Sequence, residues 1–224
     1  MQTPAERHLV QKLVSLLDSH DAGSNVPEIL NVGAGQSVSI EQRLSQAGCR
    51  YVCDRLDVES CKVDFPTVRE CWLCSIDVMA PVDSDRYVAL FANYVLEHVA
   101  NIRGASEEVY RTLSPGGCFI ATIPNVLAPQ FVLARHTALW FHRLVRGGWG
   151  WETEYAYESV SQLRDAFIDV GFVLEDEKYW SFVDGYLWRY PILGRLGKSW
   201  DKAITRSGSK RLMGDVCLVL RKPS

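Results

Sequence analysis

The run EILNVGAG, Glu28 to Gly35, constrains this chain more than any other stretch. Ile29, Leu30 and Val32 make a short apolar strand, and the strand ends in Gly33-Ala34-Gly35. Glycines at that point let the backbone turn sharply and let a ligand approach it closely, because no Cβ stands in the way. The segment that follows, IEQRLSQAG, has helical composition and stops at Gly48. Strand, glycine loop and helix is how a nucleotide-binding α/β unit begins. Taken alone, the glycines also fit a tight structural turn, or a loop that holds NAD.

The rest of the chain keeps the same rhythm. Pro4 to Asp18 places Leu9, Val10, Leu13, Leu16 and Leu17 at helical spacing and reads as a leading amphipathic helix. Arg50 to Val58 is a second strand, a third is expected near Leu73 to Ile76, and Tyr87 to Phe91 is a continuous apolar fourth. ASEEVYRTL is helical, SPGG stops it, and CFIATIP is a buried-type strand. Ser159 to Val170 reads as a helix, and GFVLEDEKYW and DVCLVLRK as two closing antiparallel strands. Alternating strands and helices imply a doubly wound, Rossmann-like, seven-stranded and mostly parallel sheet with helices on both faces. Ligands on such sheets bind just past the carboxyl ends of the strands.

Length and composition set the outer limits. The 224 residues, 47% of them hydrophobic, fit one domain spanning 1–224. Within it, 1–24 form a leading helix and turn, and 125–157 an inserted lid rich in aromatic, His and Arg residues. A net charge of -3 speaks against nucleic acid as a partner. Met1 to Asp21 lacks the basic and apolar regions of a secretory signal, and a cytoplasmic location is expected. Seven cysteines without such a signal suggest free, reduced thiols. Cys49, Cys53, Cys61, Cys71 and Cys74 suggest zinc ligands less than buried small hydrophobes, and no metal is expected.

The stretch from Asn93 to Pro124 contains Leu96-Glu97-His98 and, further on, Arg111-Thr112-Leu113-Ser114-Pro115-Gly116-Gly117. In order behind Gly33 and Gly35, these motifs resemble the class I SAM-dependent methyltransferases of the small-molecule type, where SAM is S-adenosylmethionine. The resemblance covers roughly Glu28 to Pro124. It implies SAM as cofactor, with Asn31, Gly33, Ala34 and Gly35 lining its methionine end and ribose. An acid closing the second strand should accept the two ribose hydroxyls, with Asp54 as first choice and Asp57 as second. Asp77 should take the adenine amino group, with Ile76 and Met79 as walls, and Ala92, Asn93 and Tyr94 should meet the methionine portion. Two positions depart from the family pattern. Asn31 stands where an acid is usual, and Ser37 where a third glycine is common.

For catalysis, an imidazole at His98 is suited to take a proton from the acceptor, while the same residue also fits a loop anchor. Arg135, His136, Trp140 and His142 of the insertion are candidate acceptor contacts, as a lid of Arg and aromatic side chains suits a planar or apolar molecule bearing a negative group. The expected activity is direct methyl displacement onto a small-molecule, glycan or lipid acceptor. A further option for the insertion is a peripheral membrane-surface face, aided by the basic stretch Arg189 to Arg211. The alternatives are a non-catalytic SAM-binding regulatory or scaffold domain and, further off, an NAD-binding oxidoreductase.

Overall fold

Strands that are apolar along their whole length need cover on both faces, and this chain supplies it with helices. The computed structural model describes residues 2–20, 25–129, 131–132, 156–187 and 191–224. Seven strands, β1 (Glu28–Val32), β2 (Val52–Asp57), β3 (Val68–Leu73), β4 (Tyr87–Asn93), β5 (Leu113–Pro124), β6 (Val173–Trp180) and β7 (Asp215–Arg221), form one sheet of order β3-β2-β1-β4-β5-β7-β6. The first five run parallel, and β7 lies antiparallel between β5 and β6. Six helices are described: α1 (Pro4–His20), α2 (Ser39–Gln46), α3 (Ile102–Thr112), α4 (Val160–Ile168), α5 (Val183–Tyr186) and α6 (Pro191–Ser207). The doubly wound sheet expected from the sequence is therefore present.

Alternation along each strand divides the core in two. Leu30, Val32, Leu90 and Ala92 face Val109 of α3 and Leu163 and Phe167 of α4. Ile29, Ala89 and Phe91 point the other way, onto Leu9 and Leu13 of α1 and Leu44 of α2. Side chains at the helix starts satisfy exposed backbone donors. Asn101 accepts from Gly104 N at 3.0 Å, and Ser159 accepts from Gln162 N at 3.1 Å.

Two expectations need correction. The third strand is Val68–Leu73, ending where it was expected to begin. As the sheet's edge it pairs with β2 only and is at most half-buried, so it lacks the apolar run by which buried strands are recognised. The reduced-cysteine reading also fails at one place, because Cys61 and Cys71 are joined by a disulfide that ties the β2–β3 connection to β3. Cys53, Cys74, Cys118 and Cys217 are free thiols. Among the described residues no cluster of three or more His, Cys, Asp or Glu is placed to hold a metal ion, and no helix is long and apolar enough to cross a membrane.

Candidate cofactor site

Because β1 lies between β2 and β4, their carboxyl ends share one edge, and the glycine loop sits on it. Gly33 and Ala34 donate to Leu56 O at 2.8 and 3.2 Å, which folds the loop over the end of β2. Gly33 and Gly35 have φ of +65° and +53°, in the left-handed region. The two glycines differ in what surrounds them. A Cβ on Gly33 would come within 2.3 Å of Val95 Cγ2, whereas a Cβ on Gly35 would meet nothing within 4 Å. Packing requires the first glycine, while the second opens a space above the backbone.

The loop is held from below by a buried arginine. Arg55 Nη2 donates to the carbonyls of Ala34, Gly35 and Ser37 at 2.8, 3.2 and 2.9 Å, and Nη1 reaches Glu41 Oε1 at 2.6 Å. Asn31 donates its amide to the same Glu41 oxygen at 2.8 Å. The carboxylate missing at position 31 thus returns from α2, and Asn31 is occupied in fixing that helix to β1. Glu41 and Arg55 had no role in the sequence reading. The available signal was an arginine in the middle of the buried strand VCDRLD, where it needs a buried partner.

The two candidate ribose acids separate clearly. Asp57 closes β2 and accepts from Gly35 N through Oδ2 at 2.8 Å and from Glu59 N through Oδ1 at 3.0 Å, leaving further lone pairs at the ligand edge. Asp54 is fully buried nearer the amino ends of the strands. It accepts from Arg69, from Arg86 at 2.9 Å and from the Tyr87 hydroxyl at 2.8 Å. The first choice for ribose is therefore corrected. A side chain three residues before the strand end lies inside the sheet, where it holds an ion network that also includes Glu28. Hydrogen bonds from Arg69 hold the Glu28 carboxyl down at about 2, and burial pushes the Tyr87 hydroxyl up.

Past β3, Asp77 is half-buried and hydrogen-bonded by the Ser75 hydroxyl. Ile76 and Met79 are only 3% and 0% exposed and belong to the core, so they do not form the expected adenine walls. Val78 and Leu73, at 60% and 70% exposure, are the apolar side chains this region presents. Arg111 of the Arg-x-Leu-x-Pro-Gly-Gly motif explains why Met79 is fixed. Its guanidinium donates to Met79 O and Val82 O and pairs with Glu108, which accepts from Met79 N.

At the end of β4, Ala92 is fully buried and Asn93 accepts from the Thr122 hydroxyl at 2.6 Å. Neither Ala92 nor its neighbour Phe91 offers a side chain to a ligand. Tyr94 has φ of +56° and donates its hydroxyl to Asp215 Oδ1 at 2.9 Å, with Thr3 Oγ1 3.0 Å away. Thr3 and Asp215 were not legible as site residues. An acid opening the otherwise apolar β7 was the one available sign. His98 is the exposed last residue of a 3-10 turn, Leu96–His98, whose Leu96 and Glu97 are buried. Arg135, His136, Trp140 and His142 lie outside the described residues.

Against known proteins, a family model described as a methyltransferase domain matches residues 30–121, the segment holding the loop, Asp57, Asp77 and Tyr94. None of the curated proteins matches the chain significantly. Among solved structures, phosphoethanolamine N-methyltransferase 2 of Haemonchus contortus with bound SAM is similar at a TM-score of 0.60 and 13% identity. That match covers 96% of this chain and 53% of the other, so the chain spans about half the Haemonchus protein. Geranyl diphosphate C-methyltransferase of Streptomyces coelicolor A3(2) aligns at 0.58 and 16% identity, covering 95% and 76%. The [4+2]-cyclase SpnF aligns at 0.59 and 19%, covering 95% and 80%. Residues 30–121 thus match the methyltransferase domain family, and the seven-stranded sheet that holds them is the fold shared with these SAM-dependent methyltransferases.

Proposed function

We propose that this chain transfers the methyl group of SAM to a small-molecule, glycan or lipid acceptor by direct displacement. One observation carries the site. The Gly33–Gly35 loop opens above Gly35 and is hydrogen-bonded to Asp57 at the shared ends of β1 and β2. That geometry fits the cofactor, since an open glycine backbone accepts the amino-acid portion and a carboxylate at the strand end accepts the vicinal ribose hydroxyls. Asp77 is assigned to the adenine amino group, and Val78 and Leu73 take the wall positions that Ile76 and Met79 do not fill.

When bound, SAM supplies an activated methyl on a sulfonium, and the protein's part is alignment and exclusion of water. The edge bounded by Thr3, Tyr94 and Asp215 is assigned to the acceptor, with His98 as the exposed group that takes a proton from a hydroxyl or amine. The segment 125–157 is proposed as the lid over it. Acceptors named for the structural neighbours, phosphoethanolamine and geranyl diphosphate, support the small-molecule class, and SpnF shows that this fold also carries a cyclase.

Calorimetry with SAM, S-adenosylhomocysteine and NAD tests the site, and labelled SAM with a panel of acceptors tests the chemistry. Binding of SAM and its product but not NAD is expected, with label passing to one acceptor class. Binding of NAD alone would sink the assignment, and SAM binding without transfer to any acceptor would favour a regulatory domain.

A further inference from the structure

Helix α6 carries four cations, Arg195, Lys198, Lys202 and Arg206, and one acid, Asp201. The acid faces inward. It accepts from the Ser181 hydroxyl, from Val183 N at 3.0 Å and from Asp184 N at 2.9 Å, which fixes α6 against the start of α5. Gly197 and Ile204 are buried on the same inward side, and a Cβ on Gly197 would come within 2.9 Å of Asp184 Cα. Gly197, Asp201 and Ile204 therefore define the packed face by their i, i+4, i+7 spacing.

The same spacing sorts the outer surface into two adjacent rows. Leu196, Trp200 and Ala203 form an exposed apolar row, with Leu196 at 63% and Trp200 at 43% exposure. Arg195, Ser199, Lys202 and Arg206 form an exposed basic row beside it, and Lys198 lies just beyond. Among the described residues these four cations have no ion-pair partner. They stand on a chain whose net charge is -3, so an anionic surface attracts this helix more than the rest of the molecule.

We propose that α6 docks the protein on an anionic lipid surface, with Leu196 and Trp200 entering the interface and Arg195, Lys202 and Arg206 meeting lipid headgroups. One apolar row is too narrow for a stable protein interface, which needs about 1,000 Å². An apolar row with Trp and Leu, flanked by Arg and Lys, is what an in-plane interfacial helix presents. The proposal is independent of which acceptor is methylated. It makes binding depend on anionic lipid and on ionic strength.

Flotation of the full chain with phosphatidylcholine vesicles, with and without phosphatidylserine, tests it. Binding is expected only with phosphatidylserine present and should weaken as salt rises. Lys202→Gln with Arg206→Gln should lower vesicle affinity roughly 20- to 30-fold, at about fivefold per charge. Leu196→Ser with Trp200→Ser should lower it as well, while SAM affinity by calorimetry stays unchanged. If the apolar pair impairs folding, the exposed charge pair still decides the matter. Equal recovery with neutral and anionic vesicles, or none with either, overturns the proposal. So does light scattering that shows the apolar pair converting a dimer to a monomer, which would make a second copy the occupant.

Discussion

Arg55 Nη1 and Glu41 Oε1 lie 2.6 Å apart with both side chains wholly out of solvent. The guanidinium also carries the carbonyls of Ala34, Gly35 and Ser37, so this ion pair is the floor of the glycine loop. Replacing Glu41 with Ala leaves a buried, uncompensated guanidinium and should cost about 3–5 kcal/mol in denaturant unfolding. Restoring an apolar pair, Glu41→Leu with Arg55→Met, should recover most of that stability. SAM affinity should stay low in the double variant, because nothing then tethers the loop carbonyls.

Asp54 and Asp57 make a paired test of the site. Asp57→Ala should weaken SAM binding by about tenfold or more, the effect of losing one charge-assisted acceptor of about 1.5–3 kcal/mol, with little change in melting temperature. Asp54→Ala should do the reverse, destabilising by about 1–3 kcal/mol because the Tyr87 hydroxyl loses its buried acceptor and Arg69 and Arg86 keep only Glu28, while the folded protein binds SAM normally. The same ranking in both measurements for the two variants would contradict the assignment.

Acid should unfold the protein in two stages. Burial lowers the His8 pKa from 6.5, so below that pH the unfolded chain takes up a proton that the folded one resists, and stability begins to fall. Glu28 is held at about 2 by Arg69. Asp176 is also held at about 2, where burial acts against ionisation and the Lys12 and His8 bonds outweigh it. Both carboxylates are depressed, so their stabilisation is complete above about pH 4.5 and is lost as pH falls toward 2. Melting temperatures across pH should show a shallow decline from pH 6.5 and a steep one below 4.5. In His8→Gln the shallow stage should disappear, while the Glu28 part of the steep stage remains.

Tyr94→Phe removes the hydroxyl that joins Thr3 to Asp215 and keeps the ring. Methyl transfer should fall about 10- to 100-fold, with SAM affinity changed less than threefold, if the bond serves the edge proposed for the acceptor. Equal losses in both quantities would move Tyr94 into the cofactor pocket.

Much of this fold is legible in the sequence because a sheet covered on both faces writes itself as uninterrupted apolar runs, as in β4 and β5. The edge strand β3 has no such run, and its place was missed by several residues. The glycine loop was legible because only glycine adopts its φ values readily. What supports the loop was not. Glu41 and Arg55 meet through space, between a helix and a strand that each look ordinary alone. Choosing between Asp54 and Asp57 required the strand's end to be known to the residue, and spacing alone does not locate it so closely. Asp215 and Thr3 reach Tyr94 from the two ends of the chain, a closeness that follows only from the order of strands in the sheet.

The reversed direction of β7 has an evolutionary reading. Because β7 runs against β5, its first residue, Asp215, lies opposite Pro124, where the long connection between β5 and α4 departs. Asp215, on the edge assigned to the acceptor, and the start of the connection proposed to cover that edge are therefore side by side yet encoded far apart. Exchanging the connection for another need not disturb Asp215, so a lineage with this topology can change its substrate by trading one segment while the cofactor machinery is inherited intact.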